Sequence, residues 1–150
     1  MKKRKFYLLL LIGLLLIVGC GKKEQIEYKG KVISLSYSYS GTNGKYRDYK
    51  IQSTSEGVVF NSYGNDTTTY NITKTVDGKY IDEIEKLIDK YKIKEWNGFN
   101  KQSNDEDGYG FSLEIGYSDG NNIVATGFAD YPEEYESFQE DLINLFNSIQ

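Results

Sequence analysis

The side chains of this 150-residue chain that could do chemistry are mostly carboxylates: there are 22 Asp+Glu, one Cys and no His. Without His there is no Ser-His-Asp or Cys-His nucleophile system, no imidazole base and no His-containing zinc site. A single Cys excludes an intramolecular disulfide and any Cys₄ cage. Among the carboxylates, the segment Ser103–Glu114 (SNDEDGYGFSLE) comes nearest to a ligand loop. It places Asp105, Asp107, Gly108 and Glu114 at positions three, five, six and twelve of the spacing used by twelve-residue calcium loops. However, Ser103 stands where the first carboxylate belongs, and Gly110 where an apolar residue packs. The exit flank alternates like a strand. Calcium takes six to eight oxygens, so a solvated loop leading into a strand is expected, with no metal and no cofactor. Two acids at a suitable separation can cleave a glycosidic bond, and Asp105/Asp107 and Glu133/Glu134 are the visible sets. Glu133 and Glu134 are equally well explained as first-turn helix residues behind Pro132. No catalytic residue is assigned.

Aromatic side chains are abundant, with 14 Tyr, 7 Phe and one Trp. Such rings can stack on sugars or anchor a protein partner. Tyr37, Tyr39, Phe111, Tyr117, Tyr135 and Phe138 nevertheless fall on inward positions of the expected elements and belong to a core. Trp96 leaves a helix and enters a turn, where capping the core is the preferred reading and a binding role the sharper one. Gly41–Gly44 is a hairpin turn and lacks the following helix that phosphate binding requires.

The only Cys stands at the end of an apolar segment. Lys2, Lys3, Arg4 and Lys5 precede an unbroken apolar run from Phe6 to Val18. Thirteen helical residues span roughly 20 Å, short of the ~30 Å hydrocarbon core, and the pattern is that of a secretory signal. The run closes on Ile17-Val18-Gly19-Cys20, which resembles the lipobox of bacterial lipoproteins. The resemblance implies that Ile17, Val18 and Gly19 form the recognition sequence, that the Cys20 thiol carries a diacylglyceryl group, and that residues 1–19 are cleaved. Two acyl chains give stable anchoring where one is marginal, at roughly 0.8 kcal/mol per buried CH₂. The expected location is the outer face of a cytoplasmic membrane.

Loss of residues 1–19 leaves 14 Lys+Arg against 22 Asp+Glu, a formal charge of −8. Residues 102–150 hold 11 acidic and no basic side chains. A nucleic-acid partner is therefore unsupported, and an anionic membrane surface would repel the chain, which leaves the lipid as the anchor. A solvated face is the plain reading of the acidic half; a cation or basic partner is the sharper one.

Residues 20–30 read as the lipidated N-terminus and a tether, and residues 31–150 as one domain. Ile33, Leu35, Tyr37 and Tyr39 alternate with Ser34, Ser36, Ser38 and Ser40, the pattern of a sheet covered on one side. Tyr46–Ser53, a segment from Gly57, and Thr67–Val76 continue as strands. Ile81, Ile84, Leu87, Ile88 and Tyr91 then recur at helical spacing, with Asp77 as the N-cap. Tyr109–Tyr117 and Ile123–Ala129 form a hairpin about Ser118-Asp119-Gly120. Pro132 is expected at the first position of a last helix, whose stripe is Tyr135, Phe138, Leu142, Leu145, Phe146 and Ile149. The order ββββ-α-ββ-α gives an α+β fold, one antiparallel sheet with two helices on one face.

Trp96-Asn97-Gly98-Phe99, Asp107-Gly108, Phe111-Ser112-Leu113, Tyr117-Ser118-Asp119-Gly120 and Tyr131-Pro132 together resemble the C-terminal part of small uncharacterised lipoproteins of low-GC Gram-positive bacteria. That resemblance implies a compartment and a fold, and no activity. The functional expectation is a membrane-anchored, non-catalytic binding or envelope-structural domain with a protein or glycan ligand. The alternatives are a small carboxylate-dependent hydrolase of envelope glycans and an inhibitor or chaperone-like module for a basic partner.

Overall fold

The computed structural model describes residues 26–41, 44–65, 71–104 and 108–149. Residues 1–19, Cys20 and the first part of the tether lie outside them, as do Thr67–Tyr70 of the expected fourth strand. Among the described residues no helix is long and apolar enough to cross a membrane.

The chain forms an α+β fold around one seven-stranded sheet. The strands are β1 (Val32–Ser40), β2 (Tyr46–Thr54), β3 (Gly57–Gly64), β4 (Ile72–Val76), β5 (Asn100–Gln102), β6 (Gly110–Tyr117) and β7 (Asn122–Phe128). Their order is β4-β3-β2-β1-β6-β7-β5. All neighbours are antiparallel except β5, which adds to β7 in parallel. Two helices, α1 (Lys79–Lys90) and α2 (Tyr135–Asn147), complete the fold. The three-residue β5 was not foreseen, because Asn100, Lys101 and Gln102 carry no strand pattern; besides its backbone pairing, Thr126 Oγ1 of β7 donates to Asn100 Oδ1 at 3.2 Å.

The serine strand occupies the centre. Leu35 and Tyr37 are buried, and the serines face the open side. One inward position differs from expectation: Ile33 is 40% exposed and Val32 is buried instead. The pairing steps from Val32↔Tyr117 to Ser34↔Gly116, so Ile33 is the extra residue of a β-bulge, and it rotates out.

The helices cover the other face. Ile81, Ile84 and Ile88 of α1 and Phe138, Leu142 and Phe146 of α2 are buried. Each such side chain stabilises the fold by about 1.5–3 kcal/mol relative to exposure. Phe146 packs on Tyr49 and Phe60, at ring separations of 4.8 and 5.3 Å. Gly78, not Asp77, occupies the N-cap position of α1; Asp77, one residue earlier, accepts the Lys79 backbone N–H at 2.8 Å.

The start of α2 does not follow expectation. The helix begins at Tyr135, and Glu134 precedes it with φ of +63°. Tyr131 explains the delay. Its hydroxyl donates to the Tyr109 carbonyl at 2.7 Å, and its ring stacks on Tyr135 at 4.8 Å and 11°. The chain is thus held against the start of β6 and turns through Pro132–Glu134 before the helix can begin. Glu133 and Glu134 are exposed turn residues, not first-turn helix residues.

The chain enters the sheet under restraint. The backbone N–H groups of Lys29 and Gly30 both donate to Asp119 Oδ2 at 2.9 Å, and that of Lys31 donates to Ser118 Oγ at 3.0 Å. Tyr28 packs on Tyr117 with ring centres 4.9 Å apart. The Asn121 backbone N–H, followed by those of Gly30 and Lys29, holds the Asp119 carboxyl down at about 2. A lowered carboxyl contributes fully above its ordinary value of 3.8 and loses that contribution as pH falls toward about 2. Asp119→Ala is therefore expected to speed amide exchange at Lys29 and Gly30 by about tenfold or more at neutral pH while the core amides keep their protection. Unchanged exchange at both would show that the carboxylate does not hold the segment.

Candidate functional site

Two concave surfaces stand out, one on each side of the sheet. The first lies on the open face, where the pleat points alternate side chains to solvent. Small serines on the central strand leave it low, and longer side chains on its neighbours form the walls. Two rows cross the strands there. One runs Asn61, Lys50, Ser36, Glu114, and the other Tyr63, Asp48, Ser38, Ser112. Together they line a shallow hollow of about 270 Å³. Tyr63 is 55% exposed, with Tyr46 beside it at 6.0 Å. Lys50 and Glu114 are separated by two strand spacings, roughly 9–10 Å, with Ser36 between them. The Asp48, Lys50 and Glu114 side chains make no hydrogen bond or ion pair with other described residues. Partial burial raises the Asp48 carboxyl above its ordinary value, against the pull of Arg47. Such a floor of hydroxyls between opposite charges can hold a polar ligand by hydrogen bonds.

The second hollow, also of about 270 Å³, lies between the end of α1 and the start of α2. A short 3₁₀ turn, Ile93–Trp96, leads into it. Trp96 is buried at 6% exposure and packs edge-on to Phe138 at 5.2 Å, so it caps the core as preferred from sequence. Glu95, Glu133 and Glu134 line the same hollow. So does Lys92, which like Glu134 has a left-handed backbone, with φ of +51°. Side-chain-bearing residues with positive φ are uncommon, and such strain concentrates at functional sites.

The remaining sequence candidates are not brought together. Asp105 and Asp107 of the calcium-like loop lie outside the described residues. Glu114, its twelfth position, points to the open face from the middle of β6, with Ser36 opposite. Gly108 has a structural reason to be glycine, because a Cβ there would collide with Ala129. Among the described residues no group of three or more Cys, Asp and Glu is placed to hold a metal ion. Cys20, with Ile17, Val18 and Gly19, is outside the described residues.

Asp48, Lys50, Lys92 and Glu95 were not singled out from sequence, and Glu114 drew notice only as the last position of the calcium-like loop. The serine alternation signals an open hydroxyl face, but which charges flank it depends on strand register. Register becomes visible only when β1 pairs with both β2 and β6. No protein-family model and no curated protein matches the chain.

Proposed function

We propose that this protein is a lipoprotein on the outer face of a bacterial cytoplasmic membrane, held by a diacylglyceryl group on Cys20, and that its domain is a non-catalytic binding or envelope-structural module. The observation that carries the reading is Ile17-Val18-Gly19-Cys20 closing a basic-then-apolar leader. The restrained entry at Lys29–Lys31 supports it. Six residues separate Cys20 from Glu27, a reach of at most ~25 Å, so an anchored domain would stay close to the bilayer with its β6–β7 turn nearest the tether. The open-face hollow is the surface proposed for the ligand, a polar segment of protein or glycan. Hydroxyls of Ser36, Ser38 and Ser112 between the charges of Asp48, Lys50 and Glu114 support binding by hydrogen bonds and charge there.

A second reading, a glycan hydrolase, is favoured by one observation, the three glutamates beside Trp96 in the helix-end hollow. Shortened products from glycan strands would distinguish it from binding alone.

The anchor is tested by the intact mass of the protein from its native membrane. The expected polypeptide starts at Cys20 and carries the added diacylglycerol. An unmodified polypeptide starting at Met1 would overturn the proposal.

A further inference from the structure

We propose that residues 27–31 form a detachable strap, which opens from the β6–β7 turn as one unit while the sheet stays folded, and whose closure seals the Tyr117 hydroxyl without a partner.

The attachments of the strap are the first argument. It lies outside the sheet ladder, which starts at Val32. Glu27, Lys29 and Lys31 are exposed, and Tyr28 and Gly30 are half-buried. One backbone bond joins it to the turn, from the Ser118 N–H to the Lys31 carbonyl at 2.9 Å. The bonds to Asp119 Oδ2 and Ser118 Oγ are exposed. Two further contacts, from the Tyr28 hydroxyl to the Asn122 carbonyl and from Asn121 Nδ2 to the Glu27 carbonyl, are 3.5 Å long. The Lys29–Glu27 ion pair lies within the strap and does not hold it to the domain. A segment with few buried apolar contacts and exposed hydrogen bonds opens at the low end of a protein's stability range. Val32 ends the opening, since it is buried and its N–H donates to Glu85 Oε1 of α1 at 2.9 Å.

Tyr117 supplies the second, independent argument. It is 5% exposed, and its ring lies 4.9 Å from that of Tyr28. Its hydroxyl is the one sealed and unpartnered side-chain atom among the described residues. Burial pushes that hydroxyl up to about 12, with Tyr28, Asp89, Glu85 and Asp119 adding to the rise. Leaving a buried donor without an acceptor disfavours the closed state by roughly 5- to 100-fold. Lifting Tyr28 away returns the hydroxyl to water.

Closure also depends on Gly30. A Cβ there would lie 2.5 Å from the Asp119 nitrogen and 2.9 Å from that of Ser118, both backbone atoms, so Gly30→Ala holds the strap open. What opening does rests on the lipid anchor proposed above. Eleven residues separate Cys20 from Val32, against six from Glu27. Opening therefore extends the greatest reach of the tether from ~25 Å to ~40 Å, and an anchored domain gains a near and a far position.

Residue-resolved amide exchange of the full-length protein in detergent, at rising urea below the unfolding transition, tests the strap. Lys29 and Gly30 are expected to exchange at least about 100-fold faster than Leu35 and Ile115. Their rate should not depend on urea, because the opening exposes little surface. Tyr117→Phe is expected to slow both at least about fivefold, with an unfolding midpoint equal to or above that of the wild type. Gly30→Ala should remove protection at Lys29 while Leu35 and Ile115 keep theirs. Exchange at Lys29 and Gly30 that rises with urea in step with the core would overturn the proposal. So would a Tyr117→Phe variant that raises the midpoint but leaves strap exchange unchanged, since the hydroxyl is then sealed by something other than the strap. Protection at Lys29 that survives Gly30→Ala would do the same. These rates are read at the strap and do not require acylation of Cys20, so failure of the strap and failure of the anchor are distinguishable.

Discussion

Truncation of Phe138 to Ala is expected to cost about 3–5 kcal/mol of folding stability. Phe138 is 1% exposed and stands where the two helices meet the sheet. Tyr37 from β1, Tyr91 after α1 and Trp96 from the 3₁₀ turn each present a ring to it, at 6.5, 5.9 and 5.2 Å. Three elements thus lose a common contact at once. The void cannot close easily, because its walls are held by other bonds. Tyr37 and Tyr135 share a hydroxyl–hydroxyl hydrogen bond of 2.8 Å, and Gln139 Nε2 donates to Tyr37 at 2.7 Å. The Tyr91 hydroxyl donates to Asp141 at 2.6 Å. Urea unfolding followed by Trp96 fluorescence and by circular dichroism would measure the loss, with a fall in melting temperature of roughly 10–20 °C for a domain of this size. A cost below about 1 kcal/mol would mean that the aromatic cluster repacks, and that Phe138 is not what joins the helices to the sheet.

That cluster also shows how much of the fold could be read from residues alone. The inward places of Tyr37, Phe111, Tyr117, Tyr135 and Phe138 follow from period two on strands and period 3.6 on helices, and all five are buried. Three features were illegible for three physical reasons. Ile33 turned outward because a bulge is a property of a strand pair, and one strand's alternation cannot contain it. The delayed start of α2 was hidden because Pro132 reads locally as a helix start, whereas Tyr131 is held by Tyr109, 22 residues away. β5 is three exposed polar residues long, so its side chains carry no alternation from which to read it. The sites divide in the same way. Serine alternation exposes the open face in advance, but Lys50 and Glu114 meet across Ser36 only through register. Glu133 and Trp96 drew notice separately, and nothing in their spacing places them in one hollow.

Cys20→Ser is expected to abolish both processing and lipid attachment, the largest functional effect of any single change proposed for this chain. A thiol reacts through its thiolate, with an ordinary pKa near 8.5; a serine hydroxyl has no comparable ionised form at neutral pH. The variant is expected to keep residues 1–19 and to gain no acyl mass. Its only apolar hold would be Phe6–Val18, too short as a helix to span the ~30 Å hydrocarbon core. The wild-type protein would instead be held by two acyl chains, the number at which anchoring changes from marginal to stable. Detergent-phase partitioning should therefore fall sharply in the variant, while the unfolding midpoint of the domain stays unchanged, since the described domain begins beyond Cys20. The Asp119 contact gives an internal control. Asp119→Ala should leave processing and partitioning intact and alter only exchange at Lys29 and Gly30, which separates holding the domain to the membrane from holding its first strand in place. If Cys20→Ser matches the wild type in both mass and partitioning, the anchor is not at this sulfur, and the outer-face location loses its support.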